Sequence, residues 1–450
     1  MFKKILIANR GEIALRVQRT CWEMGIETVA VYTPVDREAL HVRWASEAYP
    51  LESPYGYLDV EEILAVARRS GTQAVHPGYG FLAENPVLAR RCREEGIVFI
   101  GPDVATLELA GDKVAARREA AAVGVAVVPG AEVEDAAAAA QAASSLGYPL
   151  LVKAIAGGGG RGLRLVRNPG ELKEAMHAAN LEAMSAFGHP GVYLERFLPA
   201  PRHIEVQVLA DRYGSVVTLG ERECSIQRRH QKLIEESPSV IVEPQLREAL
   251  SQAAVKVARA FGYTGAGTVE FLLAPDGQFY FIEVNARIQV EHPVTEWVTG
   301  IDLVREQIRL AAGESLGYGQ EAISLRGWAI ECRLNAEDPA RNFMPSPGTI
   351  TTYIPPGGYG VRMDSAAYAG CVIPSCYDSL FGKLIVLGRD RGEAIRRMQR
   401  ALEETVVEGI ATTIPFHRWA MASEAFQKGR LSTGFVDTYW LPGREVGKMA

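Results

Sequence analysis

From Phe281 to Pro293 the sequence reads Phe-Ile-Glu-Val-Asn-Ala-Arg-Ile-Gln-Val-Glu-His-Pro, with polar and apolar residues alternating between Ile282 and Glu291. A two-residue period sends alternate side chains to opposite faces of a strand. Kept extended, the segment sets Glu283, Asn285, Arg287, Gln289 and Glu291 on one face, with Ile282, Val284, Ala286, Ile288 and Val290 on the other. A solvent-exposed edge strand has the same pattern. The upstream run Val269-Glu270-Phe271-Leu272-Leu273, joined through Pro275-Asp276-Gly277, points instead to a hairpin. A loop from Pro275 to Gln278 sets Glu270 opposite Glu283. Two carboxylates side by side repel unless a cation lies between them, and hard oxygen ligands suit Mg²⁺ bridging nucleotide phosphates.

A second candidate is Gly157-Gly158-Gly159-Gly160-Arg161-Gly162, which lacks the Lys-Ser/Thr ending of a P-loop and lies between two strands. Four successive glycines let a hairpin tip bring backbone N–H groups to phosphate oxygens and still close as a lid; a merely flexible loop reads the same way. Lys153 and Lys113 are placed to supply charge to phosphates, although either alone also fits a solvated surface lysine. The run Glu221 to Lys232, which includes Gln227-Arg228-Arg229-His230-Gln231-Lys232, is too mixed in sign for a nucleic-acid stripe. Local anion binding suits it better. His76 and His203, taken singly, are as readily structural as functional.

The elements that must carry these residues are legible from periodicity. Ile5–Ala8 reads as a buried strand, Ile13–Met24 as an amphipathic helix stopped by Gly25, and Thr28–Tyr32 as a second buried strand, a βαβ unit. Ala74–His76 and Val98–Ile100 add strands, closing an α/β domain near Gly101. The turn Asn9-Arg10-Gly11-Glu12 lacks G-x-G-x-x-G, which argues against a dinucleotide. Asp112–Ala122 and the alanine tract Ala136–Ser145 read as helices, the tract without chemistry of its own. Leu150–Ala154 and Leu163–Val166 form a hairpin around the glycines.

Composition narrows the function classes. At 450 residues the chain has room for about three domains. With 48 Lys and Arg against 54 Asp and Glu, the net charge of −6 gives no global positive field for nucleic acid or anionic lipid. The six cysteines include no C-x-x-C pair, arguing against zinc and a disulfide framework and for reduced thiols in a cytoplasmic protein. Neither a secretion signal nor a membrane span is expected.

Taken together, these motifs resemble the biotin carboxylase family, the ATP-grasp subunit or domain that charges biotin in acetyl-CoA, propionyl-CoA and pyruvate carboxylases. The resemblance runs through Ile7 to Ala14, His76 to Leu82, the glycine run, Gln227 to Lys232, Glu283 to Glu296 and Glu331 to Pro339. It implies a mixed α/β and α+β fold: an N-terminal Rossmann-like domain over 1–112, an ATP-grasp domain over 113–330 with a mobile lid at about 130–200, and a C-terminal domain over 331–441. It also implies that Glu270, Glu283 and Asn285 hold Mg²⁺ or Mn²⁺. ATP would be bound by Lys113, Lys153, Gly159, Gly160, His203, Gln227 and His230, with Glu195, Arg196, Phe197 and Leu198 lining the adenine pocket. Glu291 would remove the bicarbonate proton, while Lys232, Arg287, Gln289 and the Val290 backbone hold the substrate. Arg333 would stabilise the biotin enolate.

The chain departs from the family pattern at Ile155-Ala156 and at Ala286, the latter in place of a threonine. Arg19, Glu23 and Arg362 match dimer-interface positions, and Arg16 a position implicated in meeting the carrier, so a homodimer is expected. No Ala-Met-Lys-Met signature is present, so biotin is expected on a separate biotin carboxyl carrier protein, with a carboxyltransferase subunit completing the reaction. Acetyl-CoA carboxylation in fatty acid synthesis is the favoured destination. Two other readings compete: an ATP-dependent carboxylate–amine ligase, and a nucleotide-binding regulatory subunit that lacks the base or the metal ligands.

Overall fold

The structure, a computed structural model, describes residues 1–133, 135–154, 164–187 and 192–441. Ile5, Leu6 and Ile7 are fully buried in the strand Lys4–Ile7, as befits a parallel strand covered on both faces. This strand is the centre of a five-stranded parallel sheet, flanked by Glu27–Tyr32 and Ala74–His76, with Glu47–Pro50 and Val98–Phe99 at the edges. The crossover helix, Gly11–Glu23, starts earlier than periodicity suggests, because Gly11 adopts a left-handed φ of +67° that turns the chain straight into the helix. The Asn9 Nδ2 group donates to the carbonyls of Pro77 and Tyr79, both at 2.7 Å. That ties the Asn9 turn to the loop after Ala74–His76, at the strand ends where open α/β sheets place their ligands.

A four-stranded antiparallel sheet follows, in the order Gly130–Val133, Val192–Arg196, Leu150–Ala154, Arg164–Val166. Leu150 pairs with Val166, giving the expected hairpin. The alanine tract is the helix Ala136–Leu146, capped by Asp135, and it turns Ala139 and Ala143 onto Leu150, Val152 and Leu194. The glycine run, including Gly159 and Gly160, and the Ile155-Ala156 departure lie outside the described residues.

The third sheet has eight strands, in the order Phe279–Asn285, Gly265–Leu273, Arg202–Ala210, Val216–Arg228, Gln231–Ser237, Trp328–Asn335, Leu380–Gly388, Val361–Ser365. The boundary expected at 330/331 falls inside Trp328–Asn335, so hydrogen bonding runs unbroken across it, with Ile234 opposite Cys332. This continuity carries Arg333 to the same sheet face as the hairpin carboxylates. Among the described residues, no helix is long and apolar enough to cross a membrane.

Arg16 is 8% exposed, and its guanidinium is bonded to Glu296 and Asp302, each at 2.7 Å. Arg362 is bound to Glu296 and Asp364, and Glu23 lies 3.3 Å from Arg305.

Three buried histidines predict acid lability. Burial pushes His41 and His417 down to about 4 and His76 to about 3. The unfolded rings bind protons from about pH 6.5 downward while the folded rings do not, so stability falls between about pH 6.5 and 4. Asp364 extends the loss below about pH 4: burial opposes its charge, but Arg362 outweighs this and holds the carboxyl below the ordinary range. Thermal melts should show a midpoint that drops steeply from pH 6.5 to 4. A flat profile would contradict the neutral burial of these rings.

Candidate active site

Gly265–Leu273 and Phe279–Asn285 pair antiparallel with Glu270 opposite Glu283, the expected register reached by another route. The Ala274 N–H donates to the Gln278 carbonyl at 2.8 Å, so the loop is only Pro275–Gly277, with Gly277 at φ +86°. A register shift beside Phe271 leaves Ile282 as the extra residue and restores the Glu270–Glu283 pairing. The extended run to Glu291 is not observed. The strand stops at Asn285, and Glu291 immediately precedes, without capping by its side chain, the helix His292–Thr299, whose first turn holds Pro293. Even so, Glu283, Asn285, Arg287, Gln289, Val290 and Glu291 all line one cleft of about 1970 Å³.

Lys232, on Gln231–Ser237, sits at the centre of this cleft. Its Nζ donates to Glu205 at 2.5 Å, Glu291 at 2.6 Å and Glu270 at 3.0 Å, each from a different element. Burial disfavours the ammonium, but the three carboxylates outweigh it and raise the lysine far above its ordinary range. For Glu270 and Glu291, burial again opposes the charge. Lys232 leads the groups that reverse it, holding both well below the carboxylate range. Glu291 is therefore a carboxylate at neutral pH, its second oxygen accepting from Arg333 Nη2 at 2.9 Å. Arg333 is fixed in turn by Glu235, which accepts from its Nε at 2.6 Å.

Arg287 faces the cleft beside this cluster, donating to Glu84 at 2.9 Å and to Asn285 Oδ1 at 2.8 Å. Gln289 is a link: its Nε2 donates to Glu270 at 2.8 Å, while its Oε1 accepts from Arg222 at 2.6 Å. The Val290 carbonyl accepts from the buried Lys383 at 2.8 Å.

The far end of the cleft carries the other expected contacts. Lys113 opens the helix Lys113–Ala122 and reaches Glu283 at 3.1 Å. Lys153 and Arg117 both pair with the buried Glu195. Burial lowers Lys153, although Glu195 pulls the other way. Glu195, Arg196, Phe197 and Leu198 form one wall. His203 is buried with Nε2 3.1 Å from Glu270, and this carboxylate raises its pKa against the effect of burial. Gln227 pairs in register with Lys232, and His230 stands exposed at the hairpin tip with a left-handed φ of +64°.

Several participants escape a reading of the sequence. Glu205 and Gln207 lie on Arg202–Ala210 and turn inward; the alternation His203-Ile204-Glu205-Val206-Gln207 is the signal that could have found them. Within Glu221–Lys232, where local anion binding is expected, Arg222 is set apart from any anion. It is fully buried, and its donors are committed to Glu205, Gln207, Thr268, Gln289 and Thr295.

The donor set fits Mg²⁺. Glu270 and Glu283 face one another across the hairpin, and Asn285 adds a carboxamide oxygen, all hard oxygen donors. His203, Glu205 and Glu270 also bring one ligand atom each within 4.8 Å of one another.

A cleft with a caged lysine, a carboxylate clamped between cations and oxygen donors for Mg²⁺ suits an ATP-dependent ligase. The family profile for the carbamoyl-phosphate synthase L chain ATP-binding domain matches residues 112–318. Profiles for the biotin carboxylase N-terminal and C-terminal domains match 1–107 and 331–438. The chain is 55% identical to a pyruvate carboxylase subunit of Methanothermobacter thermautotrophicus, covering 98% of this chain and 90% of that one. It is 53% identical to biotin carboxylase 1 of Bacillus subtilis, covering 98% and 100%. The crystal structure of the biotin carboxylase domain dimer of Hydrogenobacter thermophilus 2-oxoglutarate carboxylase, with MgADP, ADP and bicarbonate, superposes with a TM-score of 0.94 at 49% identity, covering 97% of both chains. The chain belongs to the biotin carboxylase family of ATP-dependent carboxylases.

Proposed function

We propose that this chain uses ATP and bicarbonate to carboxylate biotin on a separate carrier protein through carboxyphosphate. The observation that carries the reading is Glu291, an ionised carboxylate held between Lys232 and Arg333 in a cleft that also holds the hairpin carboxylates. Bicarbonate sits against Lys232, Arg287 and the Val290 backbone, with Gln289 beside it. A Glu291 carboxylate oxygen takes its proton, and the two cations orient the dianion towards the γ-phosphoryl group. Attack forms the P–O bond of carboxyphosphate and expels ADP, after which carboxyphosphate breaks into CO₂ and phosphate. That phosphate accepts the ureido N–H proton of biotin, Arg333 stabilises the resulting enolate, and the nitrogen attacks CO₂. Lys113, Lys153, Gly159, Gly160, His203, Gln227 and His230 bind the nucleotide, with Glu195 to Leu198 at the base. Mg²⁺ held by Glu270, Glu283 and Asn285 supplies neutralisation of phosphate charge.

The chain divides into domains over 1–112, 113–330 and 331–441. It acts as a homodimer, alongside a carrier protein and a carboxyltransferase subunit. Its six free thiols suit a reducing cytoplasm. Acetyl-CoA is the proposed final acceptor, with pyruvate and 2-oxoglutarate, which appear in the names of relatives, as the alternative outcomes.

The test is ADP release from Mg-ATP with and without bicarbonate, then with free biotin at saturating bicarbonate. Release that needs bicarbonate and rises with biotin supports the reading; release indifferent to both favours an amine ligase. Glu283→Gln should raise the Mg²⁺ concentration needed for half-maximal rate by about tenfold, since it removes one charged oxygen ligand. Unchanged metal dependence would contradict the ligand role.

A further inference from the structure

Behind Arg333 the sheet buries two carboxyl groups that the proposed reaction does not use. Glu235 and Glu331 are direct cross-strand partners, so they share one sheet face, and both are fully buried. Neither oxygen of Glu331 accepts a hydrogen bond, and Glu235 uses only Oε1, on Arg333 Nε. An ionised carboxylate buried without a protein donor is strongly disfavoured, and two neighbouring carboxyls resist double ionisation.

Lys383 and Arg333 favour the charge on Glu331 at a distance, but neither donates a hydrogen bond to it. Arg333 is committed to Glu235 and Glu291. Lys383, opposite Arg333 on the next strand, gives its ammonium to the Val290 carbonyl and to Glu12, which also accepts from Tyr79. The neighbouring strand contributes Asp364, bound to Arg362. The helix over this face brings His292, whose neutral form burial favours, and Glu296, which pairs with Arg16 and Arg362. Lys232 faces Glu205, Glu270 and Glu291.

We propose that Glu331 is held as the neutral acid beside an ionised Glu235, so that the pair carries one negative charge, and that this pair positions Arg333 for the biotin half of the reaction. The positioning role rests on the function proposed above. Local charges agree with the geometry. Burial, only partly opposed by Arg333, raises Glu235 to about 7, and burial raises Glu331 well above the ordinary carboxylate range. With Glu331 already neutral, falling pH neutralises Glu235 and weakens its hold on the Arg333 Nε.

Infrared spectra and the kinetics of three variants test this. Infrared difference spectra near neutral pH should show a protonated carboxyl C=O band that is lost in Glu331→Gln; a wild-type spectrum without that band overturns the proposal whether or not the enzyme uses biotin. Glu235→Gln should raise the KM for free biotin at least fivefold, with bicarbonate-dependent ADP release lowered less than threefold, and should remove the acid limb near pH 7 from kcat/KM for biotin. Equal losses in both assays would reduce Glu235 to a general structural role and overturn the positioning claim. In Glu331→Gln that limb should stay where it is, because a neutral neighbour has been replaced by another; a shift to lower pH would mean Glu331 was charged. Arg333→Ala separates the two failures. If it leaves the biotin KM unmoved, the assignment of Arg333 fails; if it raises the KM while Glu235→Gln does not, only the role of the carboxyl pair fails.

Discussion

Glu291→Gln should lower bicarbonate-dependent ADP release by about a thousandfold, within the range that general bases contribute, while ATP affinity moves less than about threefold. The split follows from where the carboxylate sits. Glu291 immediately precedes a helix on the far side of the cluster from Lys113 and Lys153, and its contacts go to Lys232 and Arg333 rather than to the nucleotide wall. Bicarbonate is a weak nucleophile at neutral pH, so loss of the base removes the reactive dianion without touching the phosphate contacts. The substitution has a structural effect as well. One Glu291 oxygen accepts from Lys232 and the other from Arg333, so a carboxamide must turn its N–H₂ group towards a cation. That mismatch costs about 1–3 kcal/mol, visible as a lower melting midpoint at full occupancy of ATP. Normal turnover in this variant would remove Glu291 from the chemistry.

How much of this site is legible in the sequence depends on how far apart its members lie. Glu270 and Glu283 belong to one hairpin, and local turn chemistry is enough to oppose them, although the bulge at Ile282 stays hidden because a single extra residue leaves no mark on composition. Glu291 is identifiable, but alternation misplaces it. The alternating pattern continues past Asn285, whereas the strand stops there and the loop and turn over 286–291 lead into the helix His292–Thr299. Arg333 and Lys232 meet only because the sheet continues from Gln231–Ser237 into Trp328–Asn335, a pairing across almost a hundred residues that no local pattern encodes. Arg222 shows the opposite failure. In a run rich in both signs it reads as part of a local anion site, yet on Val216–Arg228, a strand buried along nearly its whole length, it is completely buried among acceptors from other segments. Charge type at the surface and in a satisfied core network is the same in the sequence; only the partners differ.

Lys232→Met should abolish turnover and, separately, destabilise the fold by about 3–5 kcal/mol, the cost of leaving buried charges without their partner. Glu205, Glu270 and Glu291 each direct an oxygen at the one ammonium, and all three are 5% exposed or less. Arg222 still covers Glu205, Gln289 and His203 still reach Glu270, and Arg333 still reaches Glu291. None of these spans all three. The carboxylates then repel one another across the space that bicarbonate must enter, so binding and folding fail for the same electrostatic reason. The cage also fixes the sign of the pH dependence. In the wild type Lys232 holds Glu270 and Glu291 well below the ordinary carboxylate range, a contribution present above about pH 4 and lost as pH falls through the folded values. Without the lysine both groups titrate higher, so the difference in stability between wild type and variant should be largest at neutral pH and shrink steadily towards pH 4. Paired denaturant titrations at pH 7.5, 6 and 5 measure it. A difference that is constant with pH would mean that Lys232 acts by packing alone, and the carboxylate cage would lose its electrostatic meaning.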